Sequence, residues 1–135
     1  ENEGWLDSTS IGNFPCEDLR TIDQLWLHYS NGKFGFSVQK EIYESLGGIR
    51  LYNDKEDWLY FNNLAEVWTM FCYRVGWTKR DNPLSYGQLT FNSAAPQGHL
   101  PAPTAVACGS EKGTGGLWSI LVFSSLAQRL VTCKI

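Results

Sequence analysis

A chain of 135 residues and 15.3 kDa is long enough for one domain with a substantial core and too short for two. Its 43% apolar and 19% charged residues, with 6 Trp, 6 Tyr and 7 Phe, exclude disorder, collagen and coiled coil, and Ser119, Ser124, Ser125, Gln128 and Arg129 interrupt the longest apolar run, 117–131, too often for a membrane-spanning helix. The net charge of −3 and a pI near 5.3 are wrong for a phosphate-backbone binder, so nucleic acid is set aside as a partner.

Residues 1–14 read as a polar lead-in without a signal sequence, and the chain as a domain cut from a longer protein, with a single helical core domain over 15–135. From Asp18, a candidate cap, Leu19, Ile22, Leu25, Trp26 and Tyr29 recur at helical spacing and predict an amphipathic helix ending near Ser30-Asn31-Gly32. A bend at Gly32–Phe36 follows, and Ser37 is placed to cap a second helix that runs to Leu46 and stops at Gly47-Gly48. Asn53 and Glu56 form a capping arrangement for a third, on which Phe61, Leu64, Trp68, Phe71 and Val75 step by three and four. Trp58, Tyr60, Val67, Met70, Tyr73 and Trp77 lie off that stripe, so this helix is expected to be largely covered.

Gly76 and Asn82-Pro83 mark the end of the third helix. Leu84–Phe91 is expected to be extended or loop, with Leu89 and Phe91 on one side if it is a strand. Pro96, Pro101 and Pro103 restrict the next segment to an extended surface path, and Gly109, Gly113, Gly115 and Gly116 predict a mobile loop before a last helix from about Leu117 to Cys133. The sum is a mainly α, single compact helical domain with little strand.

Cys16, Cys72, Cys108 and Cys133 show neither a C-x-x-C nor a regular spacing, which excludes a zinc or redox motif. Without a signal peptide or glycosylation sequon they read as reduced, buried thiols in a reducing compartment; two bridges are the alternative for a secreted domain.

Charge divides along the chain: residues 1–66 hold 12 acids and 5 bases, residues 67–135 hold 2 acids and 6 bases. Within the second part, 82–110 carries no charged residue and follows closely on Arg74, Lys79 and Arg80, so a basic rim adjoins an apolar surface. That suits a small anion. It also makes 82–110 a candidate partner surface.

Catalysis finds little support. His28 and His99 have no further ligand at metal spacing and read as structural; the glycine-rich 109–116 lacks the Lys and the preceding strand of a phosphate loop. No serine nucleophile elbow occurs, and the carboxylate pairs Glu17/Asp18 and Glu56/Asp57 sit at helix starts, where the dipole explains them. What remains is an aromatic surface flanked by cations, which fits a flat apolar ligand bearing acidic substituents. For the Phe61/Leu64/Trp68/Phe71/Val75 stripe, core packing is the simpler reading; the case for a ligand rests on Phe34, Phe36, Trp77 and Phe91, which flank turns.

The segments PCEDLRTIDQLWLHYSNGKFGFSVQKEIYESLGG (Pro15–Gly48), FCYRVGW (Phe71–Trp77) and LTFNSAAPQGHLPAP (Leu89–Pro103) closely resemble the core of the genomes-uncoupled-four family, in an ordered match from about Pro15 to Cys133. That resemblance implies a helical core shaped like a cupped hand, whose apolar palm takes protoporphyrin IX or magnesium protoporphyrin IX. It implies a non-catalytic activator of magnesium chelatase in chlorophyll synthesis, acting through the large porphyrin-binding chelatase subunit. The residues that match the palm are Phe34, Phe36, Val38, Trp77, Leu89 and Phe91, with Leu84 and Tyr86 on a loop (78–88) expected to fold over the macrocycle. Arg74, Lys79 and Arg80 would face the propionates, although the family carries Arg directly after the Trp where this chain has Thr78. No metal ligand and no required cofactor are implied. The expected setting is a chloroplast or a cyanobacterial cytoplasm, as a soluble monomer with room for peripheral thylakoid or envelope association. Two alternatives stay open: a porphyrin or bilin sensor module of a signalling protein, and an interaction domain that has lost its ligand.

Overall fold

Pro15 occupies the N-cap of the first helix, α1 (Cys16–Ser30), so Asp18 is not its cap but lies in the first turn, where with Glu17 it meets the positive end of the helix dipole. The computed structural model describes residues 11–48, 60–79, 82–83, 86–102 and 114–135. Asn31 takes the left-handed conformation at φ 58° and ends α1, and Gly32 at φ 80° continues the turn. Helix α2 spans Phe36–Ser45 with Gly35 at its N-cap and no side-chain bond from that residue. The expected cap, Ser37, is instead capped itself: its N–H donates to Asp23 Oδ1 of α1 at 2.8 Å. A buried carboxylate on one helix thus serves the open N-terminus of the next.

Helix α3 covers Tyr60–Arg74. The anticipated Asn53/Glu56 cap, Trp58, and the side chains of Tyr60 and Phe61 lie outside the described residues. Leu64, Trp68, Phe71 and Val75 are buried as their spacing predicts, and Val67 joins them. Met70 and Tyr73 correct the expectation of a covered helix: they are 53% and 73% exposed on the opposite face. A short antiparallel pairing follows, β1 (Thr78–Lys79) with β2 (Asn82–Pro83), in register Thr78 with Pro83 and Lys79 with Asn82. A 3-10 turn at Tyr86–Gln88 leads into the loop 89–102.

The last helix, α4, is Thr114–Thr132. It starts earlier than expected, taking Gly115 and Gly116 into its first turn. The rest of the glycine-rich segment and Pro103 lie outside the described residues. Helices α2, α3 and α4 enclose the main core, in which Trp68 stacks on Phe71 (centroids 5.6 Å, 20°) and Phe123 lies against Phe71 at 4.7 Å and Tyr43 at 5.1 Å. Full burial of residues such as Leu64 and Phe71 contributes roughly 1.5–3 kcal/mol each. The Tyr43 hydroxyl meets Ser124 Oγ at 2.6 Å, so its polar end is satisfied inside this core.

Helix α1 is fastened to the end of α4. Leu19 packs on Leu130 and Cys133, Arg20 Nη2 donates to the Cys133 carbonyl at 2.8 Å, and Arg129 Nε donates to the Phe14 carbonyl at 2.9 Å. A disulfide joins Cys16 to Cys133 with their Cα atoms 5.4 Å apart, and Cys72 is disulfide-bonded as well. This corrects the reading of reduced thiols. Residues 117 apart in sequence become neighbours only because α1 docks on α4, and cysteine spacing carries no trace of that. No helix among the described residues is long and apolar enough to cross a membrane.

Candidate ligand-binding site

The end of α3 is organised by one buried imidazole. Helix α3 stops at Arg74, Gly76 adopts φ 77°, and the Trp77 N–H returns to the Cys72 carbonyl at 2.8 Å. Any Cβ at Gly76 would lie 2.6 Å from Pro96 Cγ, so the loop approaches there as closely as glycine permits. His99, 2% exposed, fills the junction. Its Nε2 accepts the Thr90 N–H at 3.1 Å, which leaves the proton on Nδ1 for donation to the Val75 carbonyl at 2.7 Å. The Trp77 indole N–H donates to the His99 carbonyl at 2.8 Å. Three segments, 74–78, 89–91 and 98–100, are thereby tied around His99, whose ring has no nitrogen left for a metal.

The loop is stitched to the rest of the fold with equal care. Gln39 of α2, 1% exposed, donates from Nε2 to the carbonyls of Gly98 (3.0 Å) and Pro101 (2.6 Å). The Gly35 N–H donates to the Leu100 carbonyl and the Gly98 N–H to the Lys33 carbonyl, both at 3.0 Å, and Lys33 Nζ donates to the Ser93 carbonyl. Ala95, Gly98, His99 and Leu100 are buried, and the Leu100–Pro101 peptide is cis. The expected extended surface path is therefore corrected: the proline-rich segment enters the core because protein donors and acceptors replace water along its backbone.

The anticipated palm residues fall into separate groups. Trp77 and Leu89 are brought together in the main core, where Trp77 lies edge-on to Phe71 at 5.6 Å. Phe34 packs with Ala95, Leu100 and Trp26 in a second cluster. Phe36, half-buried, joins Leu19 and Leu130 in a third. Val38 is buried. Leu89 and Phe91 do not share a side, since no strand forms there: Leu89 is buried and Phe91 is 55% exposed. Arg74 is exposed at the end of α3. Leu84, Arg80 and the side chains of Lys79 and Tyr86 lie outside the described residues.

Three positions adjoin the His99 junction in sequence: Arg74 beside Val75, Phe91 beside Thr90, and Thr78 beside Trp77. Thr78 Oγ1 is buried and, among the described residues, is the one buried side-chain polar atom without a hydrogen-bond partner. His99, Gln39 and Asp23 organise this region and were not singled out for it. Asp23 sits four residues after Leu19, and Gln39 three after Phe36, so a polar residue inside an apolar stripe was the available signal.

A family model described as GUN4-like matches residues 1–112. The chain is 39% identical over 102 residues to a ycf53 protein of Porphyra purpurea, covering 75% of this chain and 35% of that protein. It is 28% identical over 113 residues to the chloroplastic tetrapyrrole-binding protein of Arabidopsis thaliana, covering 76% and 36%. A Ycf53-like protein of Synechocystis is 34% identical over 99 residues, covering 72% and 34%. Among solved structures, ligand-free Arabidopsis thaliana GUN4 matches with a TM-score of 0.54 at 27% identity, covering 91% of this chain and 72% of that one. This chain spans about a third of the length of these curated relatives. With the family model matched over most of the chain and the helical fold shared, the chain belongs to the GUN4-like family.

Proposed function

We propose that residues 15–135 form a tetrapyrrole-binding regulatory domain that takes protoporphyrin IX and magnesium protoporphyrin IX and stimulates magnesium chelatase without catalysing a bond change of its own. The observation that carries this reading is the relation to the Arabidopsis tetrapyrrole-binding protein across 76% of this chain. The residues at the end of α3 fit such a ligand. An exposed Arg74 offers a planar fork for a propionate at the water's edge, and Phe91 presents an apolar face nearby along the chain. Trp77 and Leu89, packed in the main core, Phe34 in a second cluster, and the buried Val38 and half-buried Phe36 support this surface from within the fold. Leu84 and Tyr86 cover the macrocycle, and Lys79 and Arg80 add positive charge on the propionate side.

In this reading the domain holds a porphyrin and hands it to, or receives it from, the large porphyrin-binding chelatase subunit, in a chloroplast or a cyanobacterial cytoplasm and with peripheral contact to the pigment-bearing membranes. Within the uncharged 82–110 segment, the exposed stretches 91–94 and 96–97 are the surface for that partner. The test is magnesium insertion by purified chelatase subunits with and without this chain. A faster rate at limiting porphyrin, lost with Arg74→Ala, supports the reading, and an unchanged rate over a full titration of the chain overturns it.

A further inference from the structure

Buried hydroxyls are nearly always hydrogen-bonded, because a polar group removed from water without a partner destabilises the fold. Thr78 Oγ1 breaks that rule: it has no contact with solvent and no partner. Its cross-strand neighbour is Pro83, which lacks an N–H and so offers no donor from its backbone. Thr78 follows Trp77 directly, and Trp77 is locked to the His99 carbonyl, so the backbone that carries the unpaired hydroxyl is anchored at the His99 junction.

Resting on the tetrapyrrole reading above, we propose that Thr78 is a ligand-contacting residue whose hydroxyl donates a hydrogen bond to a carboxylate oxygen of the bound tetrapyrrole, alongside the Arg74 guanidinium. Arg74 closes α3 and Thr78 opens β1 four residues later, and in this proposal the hydroxyl would give the carboxylate bond its direction and the guanidinium its charge. Thr78 lies in a β1–β2 pairing only two residues long on each strand, so few backbone bonds hold it against a local shift toward a ligand.

The experiment compares wild type, Thr78→Val and Thr78→Ser by tryptophan-quenching titration with protoporphyrin IX and with its dimethyl ester, and by thermal unfolding without ligand. Valine keeps the shape and removes the hydroxyl; serine keeps the hydroxyl. The expected result is roughly tenfold weaker binding of the diacid by Thr78→Val, near wild-type binding by Thr78→Ser, and a smaller loss with the ester. The unfolding midpoint of Thr78→Val should equal or exceed that of wild type, since an unsatisfied buried hydroxyl has been removed. Wild-type affinity in Thr78→Val, an equal loss in Thr78→Ser, or a lowered midpoint in Thr78→Val overturns the assignment while leaving tetrapyrrole binding intact. Absence of binding by wild type overturns the functional reading and this inference with it.

Discussion

The indole N–H of Trp77 donates to the carbonyl of His99 at 2.8 Å, joining the residue that follows the turn after α3 to a loop 22 positions further along the chain. Because the His99 ring also receives Thr90 and donates to Val75, this one residue ties together three backbone segments at that end of the helix.

Replacing His99 is therefore expected to be costly. His99→Ala leaves the Thr90 N–H and the Val75 carbonyl without partners and opens a cavity against Gly76. The loss should be about 3–5 kcal/mol, visible as a lowered midpoint in urea unfolding. A loss below about 1 kcal/mol would show that the loop holds its place through Gln39 and the backbone bonds alone.

Asp23 makes a second specific prediction. Its carboxylate accepts the Ser37 N–H from another helix, so Asp23→Ala should destabilise by about 1–2 kcal/mol and Asp23→Asn, which keeps an acceptor oxygen, by less. Gly35→Ala should also be disruptive, since its Cβ would fall 2.8 Å from Asp23 Oδ1 at a backbone φ of 138°. Equilibrium unfolding of the three variants checks the order.

Helical periodicity made most of α1, α2 and α3 legible, because Leu19, Trp68 and Phe71 repeat on faces that bury against neighbours. The organising contacts were not legible, for a physical reason: Gln39 to Gly98, Asp23 to Ser37 and Cys16 to Cys133 join positions that only the assembled fold brings together. Prolines misled in the same way. Pro96 and Pro101 suggest exposed chain, yet Leu100 and His99 between them are buried because Gln39 and Trp77 satisfy the intervening carbonyls. For the site, the aromatics near turns were found by type and position, but Trp77, Leu89 and Phe34 lie within packed clusters, and only Phe91 and Arg74 of the described candidates are exposed.

The Cys16–Cys133 disulfide closes nearly the whole chain into a loop, so its removal should be felt mainly through the unfolded state. The double variant Cys16→Ser/Cys133→Ser is expected to lose about 2–4 kcal/mol in thermal or urea unfolding. It should still fold, because the Arg20 and Arg129 bonds and the Leu19–Leu130 contact hold the two ends together. A variant as stable as wild type would mean that this clasp contributes nothing beyond those contacts.

Arg74 separates stability from binding. It is exposed at a helix end, so Arg74→Ala should change the unfolding midpoint by no more than about 0.5 kcal/mol. Binding of magnesium protoporphyrin IX should weaken about tenfold, with Arg74→Lys intermediate because lysine keeps the charge and loses the fork. Equal affinity in all three forms would remove Arg74 from the site.

The most direct measurement is a titration of magnesium protoporphyrin IX into the purified wild-type chain, followed by quenching of its 6 tryptophans, with biliverdin as the comparison ligand. Saturable quenching by the porphyrin, tighter than by biliverdin, is the predicted result. Preference for biliverdin would contradict the chelatase-activator account in favour of a bilin sensor, and no saturable quenching by either ligand would contradict tetrapyrrole binding itself.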